Sequence, residues 1–557
     1  MFYLEFLSNE LFLELFEYLS SIDLVQSFFN INHRFNNLIY IHLQTHYLDF
    51  QSCTKTQFDF LCQQILPSIT NHVVSLRLSD DDNTPEQIAR FFSYNLSFSH
   101  FTHLKSLSIH QIYSFDSLQS IINQLPQLIH LTYLNLTRYY IIFNEIYDIH
   151  IIDRIRTLSK LTHCNLDITQ DSDCCFCTPS IQTASIQYLS IPYLECTVQQ
   201  LIQFLHHLRH LYFLNAHVYD RSNDFESIST RKYFSIKILH LQFDGSFESL
   251  KILLQTFPNL SKLRIVIKSG FFNGYQWQNL IETYLSNLII LQFKMSCSFP
   301  YEHQLNEILE SFSSSFWIEQ HQWFVQCYWS QSNIFPLIHI YTLPYIFEDF
   351  TYLETNQTNS TTTKFYSFDH VKNLYSTSIS FTNSSITDRN LSKIRYLYLT
   401  SHLDDLLNSF QIQFTRLEIL KLVFFDQIAD QTLRNLQDFL SQLPRLHTLI
   451  YSTWSKDNRF PSSLIHPSIR QLDLRGSMIF YTSQDCQNLI QSSIGQQCQI
   501  LFINIQEQID IIHLLNHLEH LRVLIVKCYS LTNWLEQNLP TTCTISNSNQ
   551  EIRIWIR

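Results

Sequence analysis

Two side-chain clusters in this chain have the residue types for metal or redox chemistry. Asp173-Cys174-Cys175-Phe176-Cys177-Thr178 packs three thiols into a span of four positions. Zinc sites are built from spaced cysteine pairs with a second pair downstream, and no second pair follows here, so the segment reads as a loop cluster. His513, His517 and His520 fall at i, i+4 and i+7, and His206 and His210 at i, i+4, spacings that put rings on one helix face. However, His207-Leu208-Arg209-His210-Leu211 aligns with His517-Leu518-Glu519-His520-Leu521, and His103-Leu104 and His130-Leu131 match the first half. A recurring structural corner explains these histidines better than a metal does. Asp80-Asp81-Asp82 reads as a solvated turn after a strand ending near Leu78. There is no His-Glu-x-x-His and no nucleophile elbow, and with 5 glycines in all there is little to build a phosphate loop from. The expectation is a protein that is not an enzyme, with no metal and no cofactor.

The elements around these residues are more informative than the residues themselves. The chain opens Leu7-Ser8-Asn9-Glu10-Leu11-Phe12-Leu13-Glu14-Leu15-Phe16-Glu17-Tyr18-Leu19, then Ser20-Ser21-Ile22-Asp23-Leu24, then Asn32-His33-Arg34-Phe35-Asn36-Asn37-Leu38. Leu7, Leu11, Leu15 and Leu19 lie four apart and form one helical stripe, which Phe12 and Phe16 widen. So broad an apolar face on one short helix must be buried against something. Ser20 and Asp23 have the spacing of a capping box for a second helix.

This stretch resembles an F-box, the helical module that docks a protein onto the Skp adaptor of cullin-type ubiquitin ligases. The family signature begins Leu-Pro-x-Glu, continues with apolar residues at helical spacing to Tyr-Leu, and reaches Asp-Leu a few residues later. The chain keeps this pattern except for the proline, where Ser8 stands. Serine can cap a helix start, so folding tolerates the change while one adaptor contact is lost. The resemblance implies that Leu7, Ser8, Leu11, Phe12, Leu15, Phe16, Leu19 and Leu24 bind the adaptor.

Composition narrows the rest. Of 557 residues 45% are apolar and only 15% charged, with 45 Phe and 29 Tyr spread along the chain. The formal net charge of −12 argues against a nucleic-acid partner, which would require a basic face. Thirteen cysteines, most of them isolated in apolar runs as Cys164, Cys327 and Cys528 are, read as small buried hydrophobes in a reducing compartment. The first residues lack a basic leader and no apolar run approaches a membrane span. The expected location is cytoplasmic and/or nuclear, away from membranes.

From about residue 70 a phrase recurs: apolar, two variable, apolar, one variable, apolar. It reads Leu104-x-x-Leu107-x-Ile109, Leu131-x-x-Leu134-x-Leu136, Ile236-x-x-Leu239-x-Leu241, Leu260-x-x-Leu263-x-Ile265, Leu417-x-x-Leu420-x-Leu422 and Ile469-x-x-Leu472-x-Leu474, among other copies. Its middle anchors recur at intervals such as 23, 24, 27 and 30 residues. Between copies lie helical patterns from Phe115, Glu248 and Gln431 that end at Pro126, Pro258 and Pro444. The alternation resembles leucine-rich repeats. It departs from them where the family's Asn or Cys is replaced by Ile112, Tyr139, Phe425 or Ser477, which predicts irregular turns.

The fold read from these patterns is an α/β solenoid: a three-helix F-box over residues 1–48, then an irregular leucine-rich-repeat array with a parallel sheet on its concave face. The array divides into a first block at 70–295, an insertion or irregular central repeats at 296–393, and a second block at 394–557. In the central stretch Trp323–Trp329 reads as a strand with Leu337–Tyr341 as its hairpin partner, Trp317, Trp323 and Trp329 read as core, and Thr355–Lys364 reads as a polar loop. The two resemblances together imply a substrate receptor. The Skp adaptor would join it to a cullin and a RING subunit, and the repeats would hold an unidentified target protein. The alternative is an interaction scaffold outside any ligase, whose helical module serves as a cap or binds the adaptor without a ligase. An enzyme hidden in 296–393 is a third option.

Overall fold

The computed structural model describes the chain outside residues 1–5, 52, 139–153, 156, 168–184, 221–230, 299–303, 331–336, 353–354, 365, 377–392, 401–413, 426–427, 455–458, 477–478, 529–537, 540–542, 549–550 and 557. It forms two compact units, Met1–Gly270 with Asn279–Leu291, and Phe271–Gln278 with Gln292–Arg557.

The first unit begins with helices α1 (Asn9–Phe16), α2 (Ser21–Phe28) and α3 (His33–Leu43). Nine strands follow: β1 (Tyr47–Asp49), β2 (Ser75–Ser79), β3 (Ser106–Ile112), β4 (Tyr133–Arg138), β5 (His163–Asp167), β6 (Tyr188–Cys196), β7 (Phe213–Asp220), β8 (Ile238–Gly245) and β9 (Lys262–Ser269). Each strand from β1 to β8 pairs in parallel with the next. The middle anchor of every phrase falls in one register: Leu48, Leu76, Leu107, Leu134, Cys164, Leu189, Leu214, Leu239 and Leu263 are successive partners across the sheet. All nine are buried. Because strand residues alternate faces, this register places every anchor on the side covered by the helices.

The helices return the chain from one strand to the next, as parallel pairing requires. Phe115–Gln124, Val198–Leu205 and Phe247–Leu254 are each capped by a Ser or Thr, namely Ser114, Thr197 and Ser246, whose side chain accepts an N–H of the first turn. Neighbouring repeats are also tied at the corner before each strand by one carbonyl that accepts two N–H groups of the next repeat. Lys105 does so for Thr132 and Tyr133, Thr132 for Thr162 and His163, and Lys237 for Ser261 and Lys262. Backbone bonds thus fix each repeat to the next at the start of its strand.

The second unit holds two kinds of pairing. The end of β10 (Ile290–Ser298), β12 (Leu337–Leu343), β11 (Phe324–Ser330) and β14 (Thr355–Ser360) pair antiparallel in that order. The segment expected as a polar loop is therefore partly a strand, since the exposed edge of β11 offers backbone partners to a sequence with no apolar residues. Trp317 is fully buried against Phe312, and Trp323 and Trp329 are buried as well, so the tryptophans fill a core. A parallel ladder runs through β13 (Asp349–Tyr352), β15 (Asn373–Ser376), β16 (Tyr396–Thr400), β17 (Ile419–Phe424), β18 (Thr448–Thr453), β19 (Gln471–Asp473), β20 (Ile500–Ile505) and β21 (Val523–Cys528). Phe350, Leu374, Leu397, Leu420, Leu449, Leu472, Leu501 and Leu524 occupy its single register and are all buried. The hairpin β22 (Thr544–Ser548) and β23 (Glu551–Trp555) then pairs antiparallel to β21 and ends the stack. A terminal cap of this sort meets the need of a repeat array to close its last open face.

Candidate functional site: the N-terminal helical module

Three caps fix where the first helices begin. The Ser8 hydroxyl accepts the Leu11 N–H at 3.4 Å, and Asn32 Oδ1 accepts the Phe35 N–H at 3.0 Å. Ser20 Oγ accepts the Asp23 N–H at 3.0 Å and donates to the Asp23 carboxylate at 2.7 Å, which sets the start of α2. These starts aim an aromatic cluster inward. Phe12 meets Phe35 edge-on at 5.0 Å, Phe16 lies 5.4 Å from Phe28, and Phe28 lies 5.4 Å from Phe35. Phe12, Phe16, Leu24, Phe35 and Leu38 are buried, so the module has its own core.

Phe12, Phe16 and Leu24, expected among the residues that bind the adaptor, have no exposed surface in this structure. The physical reason is angular. Phe12 and Phe16 lie together on the side of α1 that α3 covers, while the leucine stripe lies beside it. Leu7, Leu11, Leu15 and Leu19 remain 37%, 49%, 41% and 36% exposed, with Ser8 exposed at their head. Tyr18 and Phe6, 89% and 83% exposed, extend the apolar surface; neither sits at the four-residue spacing, so the spacing alone does not find them. Arg34 closes one end: its guanidinium lies over the Phe12 ring at 5.3 Å, and it donates to Asn9 Oδ1 at 2.8 Å and to the Leu7 carbonyl.

The module is joined to the first repeat. The Asp49 N–H of β1 donates to Ser21 Oγ at 2.9 Å, and the Asp49 carboxylate pairs with Arg77 of β2 at 2.8 Å. His42 of α3 is buried, edge-on to Phe16 and stacked on His46 at 4.0 Å. Burial, with a smaller effect from His46, lowers its pKa to about 4, so the ring is neutral near pH 7. At the start of α1, Glu10 is held below the usual carboxylate range, first by a backbone hydrogen bond and then by the Ser8 hydroxyl.

The other candidate residues do not assemble a site. Cys174, Cys175 and Cys177 lie outside the described residues. His513, His517 and His520 are exposed at the end of the helix Ile509–His517, where His517 Nδ1 bonds the His513 carbonyl at 2.8 Å. Among the described residues no group of three His, Cys, Asp or Glu side chains is placed to hold a metal ion. The acidic turn is less solvated than expected. Asp80 is 2% exposed and its carboxylate accepts the Ile88 N–H at 2.8 Å, while Asp81 accepts from Asn83 and Thr84. Asp80 thus satisfies one N–H in the first turn of the helix Gln87–Ser93, while Asp81 braces the turn that precedes it. No described helix is long and apolar enough to cross a membrane.

No family model matches the chain, and neither does any curated protein. Solved structures do match. One, described as a TLR13–ssRNA13 complex, is 13% identical over 83% of this chain and 57% of its own length, with a TM-score of 0.28. Another, a leucine-rich-repeat protein of Leptospira interrogans, is 12% identical over 86% of this chain and 95% of its own, with a TM-score of 0.25. The chain thus spans little more than half the length of the first. The strand registers themselves define the class: within each unit this is an α/β repeat stack with a largely parallel sheet.

Proposed function

We propose that this chain is the substrate-recognition subunit of a cullin-type ubiquitin ligase. The N-terminal module docks on a Skp-type adaptor, which connects to a cullin and a RING subunit, and the repeats hold a target protein. The chain performs no chemistry of its own; it raises the effective concentration of target lysines near the ubiquitin-carrying subunit. It works in the cytoplasm and/or nucleus. The observation that carries this reading is a line of exposed leucines, Leu11 and Leu15 on α1 with Leu7 just before the helix and Leu19 just after it. The module fills its core with phenylalanines and is fixed to β1 through α2, yet it leaves four regularly spaced leucines in solvent.

The second reading, a scaffold outside any ligase, draws on the bond between Ser21 and Asp49, since a helical module on the first strand also caps a repeat array. A cap alone gives no reason for the outward leucines. Affinity purification of the wild type and of Leu15→Asp, scored for adaptor and cullin, separates the readings. The ligase reading expects both partners with the wild type and neither with the variant. Adaptor without cullin favours the scaffold, and adaptor retained by Leu15→Asp defeats the docking assignment.

A further inference from the structure

The leucine stripe has two unlike borders. On one side it meets the Phe12 and Phe16 face, closed by α3. Along the other run Glu10, Glu14 and Glu17, at i, i+4 and i+7, and all three are exposed. Among the described residues neither Glu14 nor Glu17 makes an ion pair. Arg34 is the one Lys or Arg in the first 54 residues; it is held at the start of α1 by Asn9 and the Leu7 carbonyl, where its charge also helps to lower the Glu10 carboxyl, away from Glu14 and Glu17. The exposed apolar surface is therefore walled along one side by carboxylates, of which Glu14 and Glu17 have no ion-pair partner among the described residues.

We infer that the partner taking α1 presents an apolar groove edged on one side by lysines or arginines, so that charge fixes the direction in which the helix docks. This inference rests on the adaptor reading and specifies the chemistry of the adaptor's facing rim. The acidic wall counts against the other occupants of an exposed leucine stripe. A membrane surface carrying anionic lipid would repel it, and a second copy of the same stripe would bring like charges together. Complementary rim charges act mainly on the association rate, and their effect falls with ionic strength.

The test uses the full chain and the recombinant Skp-type adaptor, with association and dissociation rates followed from low to high salt. Wild type should associate more slowly as salt rises. Glu14→Gln/Glu17→Gln should associate several-fold more slowly at low salt with a flatter salt dependence, and Glu14→Lys/Glu17→Lys about tenfold more slowly or worse. Dissociation should change little. Glu10 is left intact because it is engaged at the helix start, and circular dichroism checks that α1–α3 persist. If the glutamine variant keeps the wild-type rate and salt dependence while Leu15→Asp abolishes binding, the adaptor reading stands and the basic rim is refuted. Faster association of the lysine variant would mean an acidic rim and would equally refute a basic one. No adaptor binding by the wild type would overturn both, and salt-independent self-association removed by Leu15→Asp would assign the stripe to a second copy.

Discussion

Adjacent residues of α1 should fail in opposite ways. Phe16 has no exposure, so Phe16→Ala opens a cavity among Phe12, Phe28 and His42 and should cost the module about 3–5 kcal/mol. Leu11 and Leu15 retain 49% and 41% of their surface in solvent. Full burial of a leucine contributes roughly 1.5–3 kcal/mol, so covering what each still exposes contributes about half of that, and truncating both to alanine should weaken adaptor binding by about 1–2.5 kcal/mol. That corresponds to roughly 5- to 70-fold in Kd. All four stripe leucines together supply about 2.5–5 kcal/mol on the same basis, enough to decide whether the complex forms at micromolar concentration. Calorimetric titration of the adaptor reads the binding loss, and hydrogen exchange across α1–α3 reads module stability. Leu11→Ala/Leu15→Ala should leave exchange near wild type while Phe16→Ala accelerates it. If the leucine pair loses protection as Phe16→Ala does and binding is unchanged, the stripe is part of an internal core and the partition is wrong.

Three further outcomes follow from the packing and the titrations. Leu420→Ala, in the fully buried ladder between Leu397 and Leu449, should cost roughly 2–5 kcal/mol in urea unfolding of the second unit, whereas Lys421→Ala, on the opposite face, should cost far less. His42, His240 and His339 are each lowered by burial to about 4, so below pH 6.5 the unfolded chain takes up protons that the folded chain refuses. Stability is complete above pH 6.5 and declines as pH falls toward 4, by at most about 1.4 kcal/mol per pH unit for each histidine, which urea midpoints at pH 7.5, 6 and 5 would show; flat midpoints would contradict the burial argument. Asp80→Ala leaves the buried Ile88 N–H without its carboxylate and should cost about 1–3 kcal/mol, read by thermal unfolding of the first unit.

The repeats are legible in the sequence because register in a parallel sheet has a one-residue signature. Leu239, Leu420 and Leu472 can be named as anchors because each is the middle of the same six-residue phrase, and each sits in the ladder that the phrase implies. Cys164 shows why the pattern survives substitution: a buried thiol fills the slot beside Leu134 and Leu189 as a small hydrophobe. Thr355–Ser360 shows where the pattern stops. Composition alone marks it as a loop, but a strand at an open edge needs only backbone partners, and β11 provides them.

On α1 the same logic works only halfway. A period of 3.6 residues puts Leu11, Phe12, Leu15 and Phe16 on one broad face, and nothing in that period says which half is core. The division comes from elsewhere in the chain: Phe28 and Phe35 receive the two phenylalanines, so the leucines beside them are left outside. Aromatic rings on α2 and α3 are a usable signal, since Phe28 and Phe35 pack against Phe16 and Phe12 of α1. The charges are legible in the same way once the division is known, because Glu10, Glu14 and Glu17 border the leucines and avoid the phenylalanines. The docking surface of this module is thus what remains of an amphipathic face after its neighbours have taken their share, and it is recognised by subtracting the core from the helix.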